Sequence, residues 1–115
     1  MVQAHPSRIS PTVVTLPAEI DMTNSDRAGA DLEAAVAPGV IIVVADMTAT
    51  TFCDSRGIRA LVLAHKHAAA GGAELRLVVP SASVVRVLTV LGLDHCLAIY
   101  PSLHEAVAVQ PGPKT

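Results

Sequence analysis

The residues best suited to chemistry stand together in one turn. Asp54-Ser55-Arg56-Gly57 separates an apolar, β-branched run (residues 40–45) from a segment in which Ile58, Leu61 and Val62 recur at helical spacing. Asp and Ser carry side-chain oxygens that accept hydrogen bonds from the unpaired N–H groups of a first helical turn, so one of the two is expected to cap the helix. A serine there is exposed, and the positive helix end beside it tolerates an added phosphate. Ser55 is therefore a candidate phosphorylation site. Catalytic chemistry is less well supplied. A Ser55 nucleophile lacks the Gly-x-Ser-x-Gly elbow, because Cys53 occupies the place of the first glycine. Asp21, Asp46 and Asp54 offer a carboxylate pair for acid–base work, although aspartates in such turns more often serve as caps or recognition charges. His65 and His67 point to different faces of a helix, which fails the i, i+4 spacing of a helical metal pair, and neither a metal nor a cofactor is expected. Gly71-Gly72 precedes a strand rather than following one, unlike a phosphate-cradling loop. Cys53 and Cys96 lack a CxxC partner or a flanking ligand and read as free thiols; should they approach each other, an oxidised pair would lock the Asp54 turn, so they are also a candidate redox pair.

The elements that must position this turn follow from composition and pattern. A chain of 115 residues suffices for one compact domain and not for two. Hydrophobic residues make up 51% and charged ones 16%, with no Trp, so the core must be built from Val, Leu, Ile and Ala. A formal charge of −2 without a basic cluster gives no electrostatic footing for nucleic acid. The longest apolar run, residues 40–45, is far short of the roughly 20 residues that span a bilayer, and the N-terminus lacks the basic and apolar regions of a secretion signal. A soluble cytoplasmic protein with no nucleic-acid or membrane partner is the expectation.

Residues 1–11 read as a flexible arm or a weak edge strand. A strand over residues 12–16 lies between Pro11 and Pro17. Thr23, Asn24 or Ser25 then starts a helix through Leu32 and Val36 that Pro38-Gly39 ends. After the central strand and the Asp54 turn, a helix runs to about Ala70, where Gly71-Gly72 stops it. Residues 75–79 form another apolar strand. Pro80-Ser81 opens a helix whose Val84, Val87, Leu88 and Leu91 share a face, ended by Gly92. Residues 97–100 make a last strand, Pro101-Ser102 a second breaker-and-cap pair, residues 103–109 a final helix, and residues 110–115 a disordered tail. This alternation predicts an α/β fold, a mixed and mostly parallel sheet of about four to five strands with about four helices. Functional groups in such sheets gather at the carboxyl ends of the strands, here Glu19, Asp21, residues 46–55 and residues 80–83.

Three stretches carry a family resemblance. The segment Val13-Val14-Thr15-Leu16-Pro17-Ala18-Glu19-Ile20-Asp21 resembles a strand end of STAS domains, the bacterial anti-sigma-factor antagonists. Val43-Val44-Ala45-Asp46-Met47-Thr48 with Phe52-Cys53-Asp54-Ser55-Arg56-Gly57-Ile58 resembles their Asp-Ser-x-Gly segment, and Leu91-Gly92-Leu93-Asp94 a frequent ending of their third helix. The likeness spans residues 12–109. It departs from the family pattern at Ala18, where a glycine is usual, and at Arg56, where a small residue is usual and where a guanidinium can pair with a phosphate.

The resemblance implies a single STAS-like domain without enzymatic activity that works by partner switching. The unmodified antagonist binds an anti-sigma factor of the serine kinase type, and sigma factor is released; phosphorylation at Ser55 ends the binding, and a phosphatase restores it. By the same carry-over Asp21 and Asp54 frame the phosphoacceptor, and Thr23, Asp46, Met47, Arg56, Gly57 and Ile58 border the partner surface. Gly57 is expected to leave room for close approach, and Asp46 is equally suited to satisfying turn amides. One rival is a STAS module that senses a small molecule or scaffolds a signalling complex without phosphorylation. Another is a small hydrolase or isomerase that uses Asp21, Asp54 and Ser55.

Overall fold

The apolar runs become strands and the capped stretches become helices. In the computed structural model, which describes residues 11–109, the order is β1 (Thr12–Thr15), β2 (Glu19–Ile20), α1 (Ser25–Ala34), β3 (Ile42–Asp46), β4 (Phe52–Cys53), α2 (Ser55–Ala70), β5 (Glu74–Val78), α3 (Ala82–Val90), β6 (Ala98–Tyr100) and α4 (Leu103–Ala108). The expected arm falls outside the described residues except for Pro11, and the expected tail lies outside them entirely. Strands β1, β3, β5 and β6 form one sheet in the order β1-β3-β5-β6, and every described pairing is parallel. Parallel neighbours require crossovers, which the helices supply.

Burial on both sheet faces explains why β3 reads as an unbroken apolar run rather than an alternation. Val43 and Ala45 join the main core with Leu32 of α1, Leu61 of α2 and Leu88 of α3. Ile42 and Val44 face the other way, with Val78 and Ala106 of α4. Strand β5 carries two charged residues, Glu74 and Arg76, and buries the second. Arg76 is 1% exposed on the α4 side of the sheet, where its Nη1 donates to the carbonyls of Ala106 (2.7 Å) and Val109. Its Nε and Nη2 donate to Glu74 Oε1 at 3.2 and 3.1 Å, and the guanidinium lies 5.6 Å from the Tyr100 ring centroid. The carbonyls of a last helical turn have no partner within the helix. Arg76 supplies one and thereby fastens α4 to the sheet.

Two features depart from the sequence reading. A 3-10 turn, Leu93–His95, lies between α3 and β6, entered through Gly92 at φ 76°. Strands β2 and β4 form a separate two-stranded parallel sheet in stretches read as caps and turns. Two-residue strands leave no periodic pattern, so only long-range partners establish them. Thr51 N donates to Ala18 O (2.9 Å), Asp54 N to Ile20 O (3.0 Å), and the buried Thr50 hydroxyl to Pro17 O (2.7 Å).

Candidate functional site

The small β2–β4 sheet holds the Asp54 turn. Asp54, pinned by its own N–H to β2, is the N-cap of α2, and its Oδ1 accepts from Arg56 N at 2.9 Å and Gly57 N at 3.0 Å. That leaves Ser55 as the first residue of a 16-residue helix, exposed to solvent. A hydroxyl there is accessible to another protein while its backbone is held by the cap and by the core beneath α2.

What seats α2 so close to the small sheet is Gly57. A Cβ at that position would lie 2.6 Å from Cys53 Sγ and 2.8 Å from Ile20 Cγ2. The close approach that glycine permits here is internal, and this corrects its expected place at the partner surface. Ile58, 7% exposed, and Met47, fully buried, likewise belong to the main core and do not border the surface with their side chains. Residues that follow a strand or open an amphipathic helix alternate between inside and outside, and carrying a motif over by position does not say which.

The polar side chains expected at the site sort differently. Asp21 Oδ1 accepts from Thr23 N at 2.9 Å and from Thr23 Oγ1 at 2.6 Å. The Thr23 hydroxyl, and then its amide, hold the Asp21 carboxyl below its usual range. Asp46 makes the same turn with the amide and hydroxyl of Thr48. Asp46 thus serves its turn amide, and each of the three aspartates is engaged by its own turn. Thr23, Ser55 and Arg56 are exposed, and Asp21 and Asp54 are partly so.

Two large apolar residues that sequence reasoning missed flank this polar group. Met22 is 67% exposed and Phe52 is 51% exposed, the latter opposite Glu19 in the β2–β4 pairing. The usable signal was the one phenylalanine of the chain placed three residues before Ser55 in an otherwise polar turn. Apolar side chains held out around a polar centre suit protein docking. A groove of about 360 Å³ runs between α1 and α2, with Asp26 and Glu33 on one wall and Arg56 and Arg59 on the other.

The cysteines are both free, Cys53 buried and Cys96 exposed. Burial, reinforced by the neighbouring Asp54 charge, pushes the Cys53 thiol up to about 11. A thiolate is the reactive form, so Cys53 is a packing residue here, in keeping with the free-thiol reading and against its candidate redox role. Among the described residues no three His, Cys, Asp or Glu side chains converge on one point, and no helix is long and apolar enough to cross a membrane.

Comparison with known proteins agrees with this fold. The STAS domain family model matches residues 2–106. An anti-sigma factor antagonist from Mycobacterium paratuberculosis is 25% identical, with 94% of this chain and 89% of that one covered at a TM-score of 0.72. An anti-sigma-factor antagonist (STAS) domain protein from Planctomyces limnophilus is 24% identical, covering 91% and 92% at 0.73. The phosphorylated form of SpoIIAA, a Bacillus cell fate determinant, is 21% identical, covering 86% and 89% at 0.64. No protein of curated function matches the sequence.

Proposed function

Because the chain belongs to the STAS domain family, we propose that it is an anti-sigma-factor antagonist, a cytoplasmic binding module that docks on an anti-sigma factor of the serine kinase type and is released when that kinase phosphorylates Ser55. The observation that carries this reading is the exposed Ser55 hydroxyl at the first position of a capped, core-anchored helix, with Met22 and Phe52 held outward beside it. The unmodified surface offers Asp21, Thr23, Ser55 and Arg56 as polar contacts around those two apolar side chains.

Phosphorylation opposes docking by charge. A phosphoserine brings about −1.5 to −2 charges and three acceptor oxygens into a contact shaped for a neutral hydroxyl. The added charge sits next to Asp54, whose carboxylate is fixed by the helix amides and cannot swing away. A loss of about 3 kcal/mol of binding free energy weakens affinity more than a hundredfold. A phosphatase acting on the exposed serine would restore the docking form.

The test uses candidate anti-sigma factor kinases and ATP. Intact-mass measurement is expected to find one phosphate on the chain and none on Ser55→Ala, and the phosphorylated chain should no longer retain the kinase in a pull-down. Equal phosphate on the Ser55→Ala variant, or equal retention of both forms, would refute the proposal.

A further inference from the structure

We propose that a phosphoryl group on Ser55 is held in cis by Arg59, assisted by Arg56, so that this helix carries its own phosphomonoester-binding pair. The inference rests on the phosphorylation of Ser55 proposed above and adds what receives the phosphate.

Beyond the N–H of Ser55 itself, the amides of the first helical turn are already committed, that of Ile58 to the Asp54 carbonyl. The N–H groups of Arg56 and Gly57 already donate to Asp54 Oδ1. A phosphate on the neighbouring serine therefore meets an occupied helix end and a carboxylate of its own sign. Relief has to come from side chains. Ser55 and Arg59 stand at i and i+4 on α2, a spacing that puts their Cβ atoms about 5–6 Å apart on one flank of the helix, within reach of a guanidinium. Arg56 is adjacent. Both arginines are exposed, and among the described residues the one ion pair joins Arg76 to Glu74, so no carboxylate holds either guanidinium.

The groove between α1 and α2 makes this more than a local neutralisation. Arg56 and Arg59 form its basic wall, facing Asp26 and Glu33 across the small residues Gly29 and Ala60. A phosphate offers three oxygens and nearly two charges in a geometry that a guanidinium fork grips at two points, and it outcompetes a single carboxylate. Once the two arginines turn to Ser55, the groove keeps only its acidic wall. Phosphorylation then turns a charge-balanced surface that extends about two helical turns beyond the serine net negative, so a partner seated over the groove loses its basic contacts together with the neutral hydroxyl.

The experiment needs neither kinase nor partner. Phosphoserine is installed at position 55 during translation, and the phosphate is titrated by phosphorus-31 NMR in the otherwise unaltered chain and in Arg59→Gln, Arg56→Gln and the double variant. The groups facing the phosphate are Asp54 from the cap, Asp21 from the end of β2, Asp26 and Glu33 from α1, and the two arginines; only the arginines are changed. The second phosphate pKa, ordinarily about 6, is expected to rise by about half a unit or more on Arg59→Gln and further in the double variant, with the difference shrinking in high salt. Circular dichroism checks that the variants keep their helices. The same titration in the unaltered chain and in Arg59→Gln, or a rise confined to Arg56→Gln, overturns the proposal. Failure of every kinase to modify Ser55 would sink the partner-switching reading and leave this titration untouched, so the two fail separately.

Discussion

Replacing Gly57 by alanine tests the joint that places Ser55. Two effects of opposite sign meet at this position. Alanine is the better helix former, worth about 1 kcal/mol over glycine in a helix interior. Against that, the new methyl would sit 2.6 Å from Cys53 Sγ and 2.8 Å from Ile20 Cγ2, with Ile20 Cβ at 3.2 Å. Neither neighbour can yield easily: both are buried, both lie on the short strands that hold the site, and Ile20 is β-branched and stiff at χ1. Over-packing of this kind costs about 1–3 kcal/mol, and the tight contacts put the cost in the upper part of that span, so Gly57→Ala is expected to destabilise by about 1–2 kcal/mol net. For a domain near 100 residues the midpoint of thermal unfolding should fall by about 4–16 °C. Cys53→Ala removes the nearer contact and leaves Ile20. In a double-mutant cycle the pair should therefore couple favourably by at least about 0.5 kcal/mol. Thermal and urea unfolding of the three variants read this directly. A Gly57→Ala protein more stable than its parent would mean that helix propensity wins and that α2 does not press on the small sheet.

Three further outcomes are expected. Arg76→Ala removes the partner of two carbonyls and of the partly exposed Glu74 in one step and should cost about 2–4 kcal/mol, most of it from the carbonyls and the lost packing, while Arg76→Met, which keeps the volume, should cost less; an unchanged urea midpoint for the alanine variant would show that α4 is held by its apolar face alone. The Asp21 carboxyl, depressed by Thr23, contributes stability that is present above its unfolded value and lost as pH falls below about 4 through its lower folded value; Thr23→Ala should raise the Asp21 titration midpoint in carbon-detected NMR, and an unmoved midpoint would remove the hydroxyl as the cause. In alkylation at about pH 8, Cys96 should react and Cys53 should not until the chain is unfolded; equal labelling of both thiols in the native protein would contradict the burial of Cys53.

What the sequence by itself determined is what local chemistry decides. The Asp-Ser turn before an amphipathic run makes a capped helix wherever it is placed, so α2 and the exposure of Ser55 were legible residue by residue. Pro80-Ser81 and Pro101-Ser102 likewise open α3 and α4, with Ser81 and Ser102 accepting from Val84 N and Glu105 N. Asp-Met-Thr occurs twice, at Asp21 and at Asp46, and both copies form the same turn, with one aspartate oxygen taking the threonine amide and hydroxyl. The fates of the two methionines show where this legibility stops. Met22 is 67% exposed beside the candidate site and Met47 is fully buried in the core. The tripeptide is the same; what differs is that Met47 N is drawn to Val78 O as β3 leaves the middle of the sheet, while the Asp21 turn opens α1 at the rim. Tertiary structure also decided the pairing of β2 with β4, the inward use of Gly57 and the burial of Arg76. Each depends on partners at least 30 residues distant in sequence, as in the Arg76 bond to Ala106, or on atoms brought together only when α2 is laid against the small sheet. A hydrogen bond within a turn is encoded by its neighbours, whereas which side of a residue meets solvent is set by what the rest of the chain packs against it.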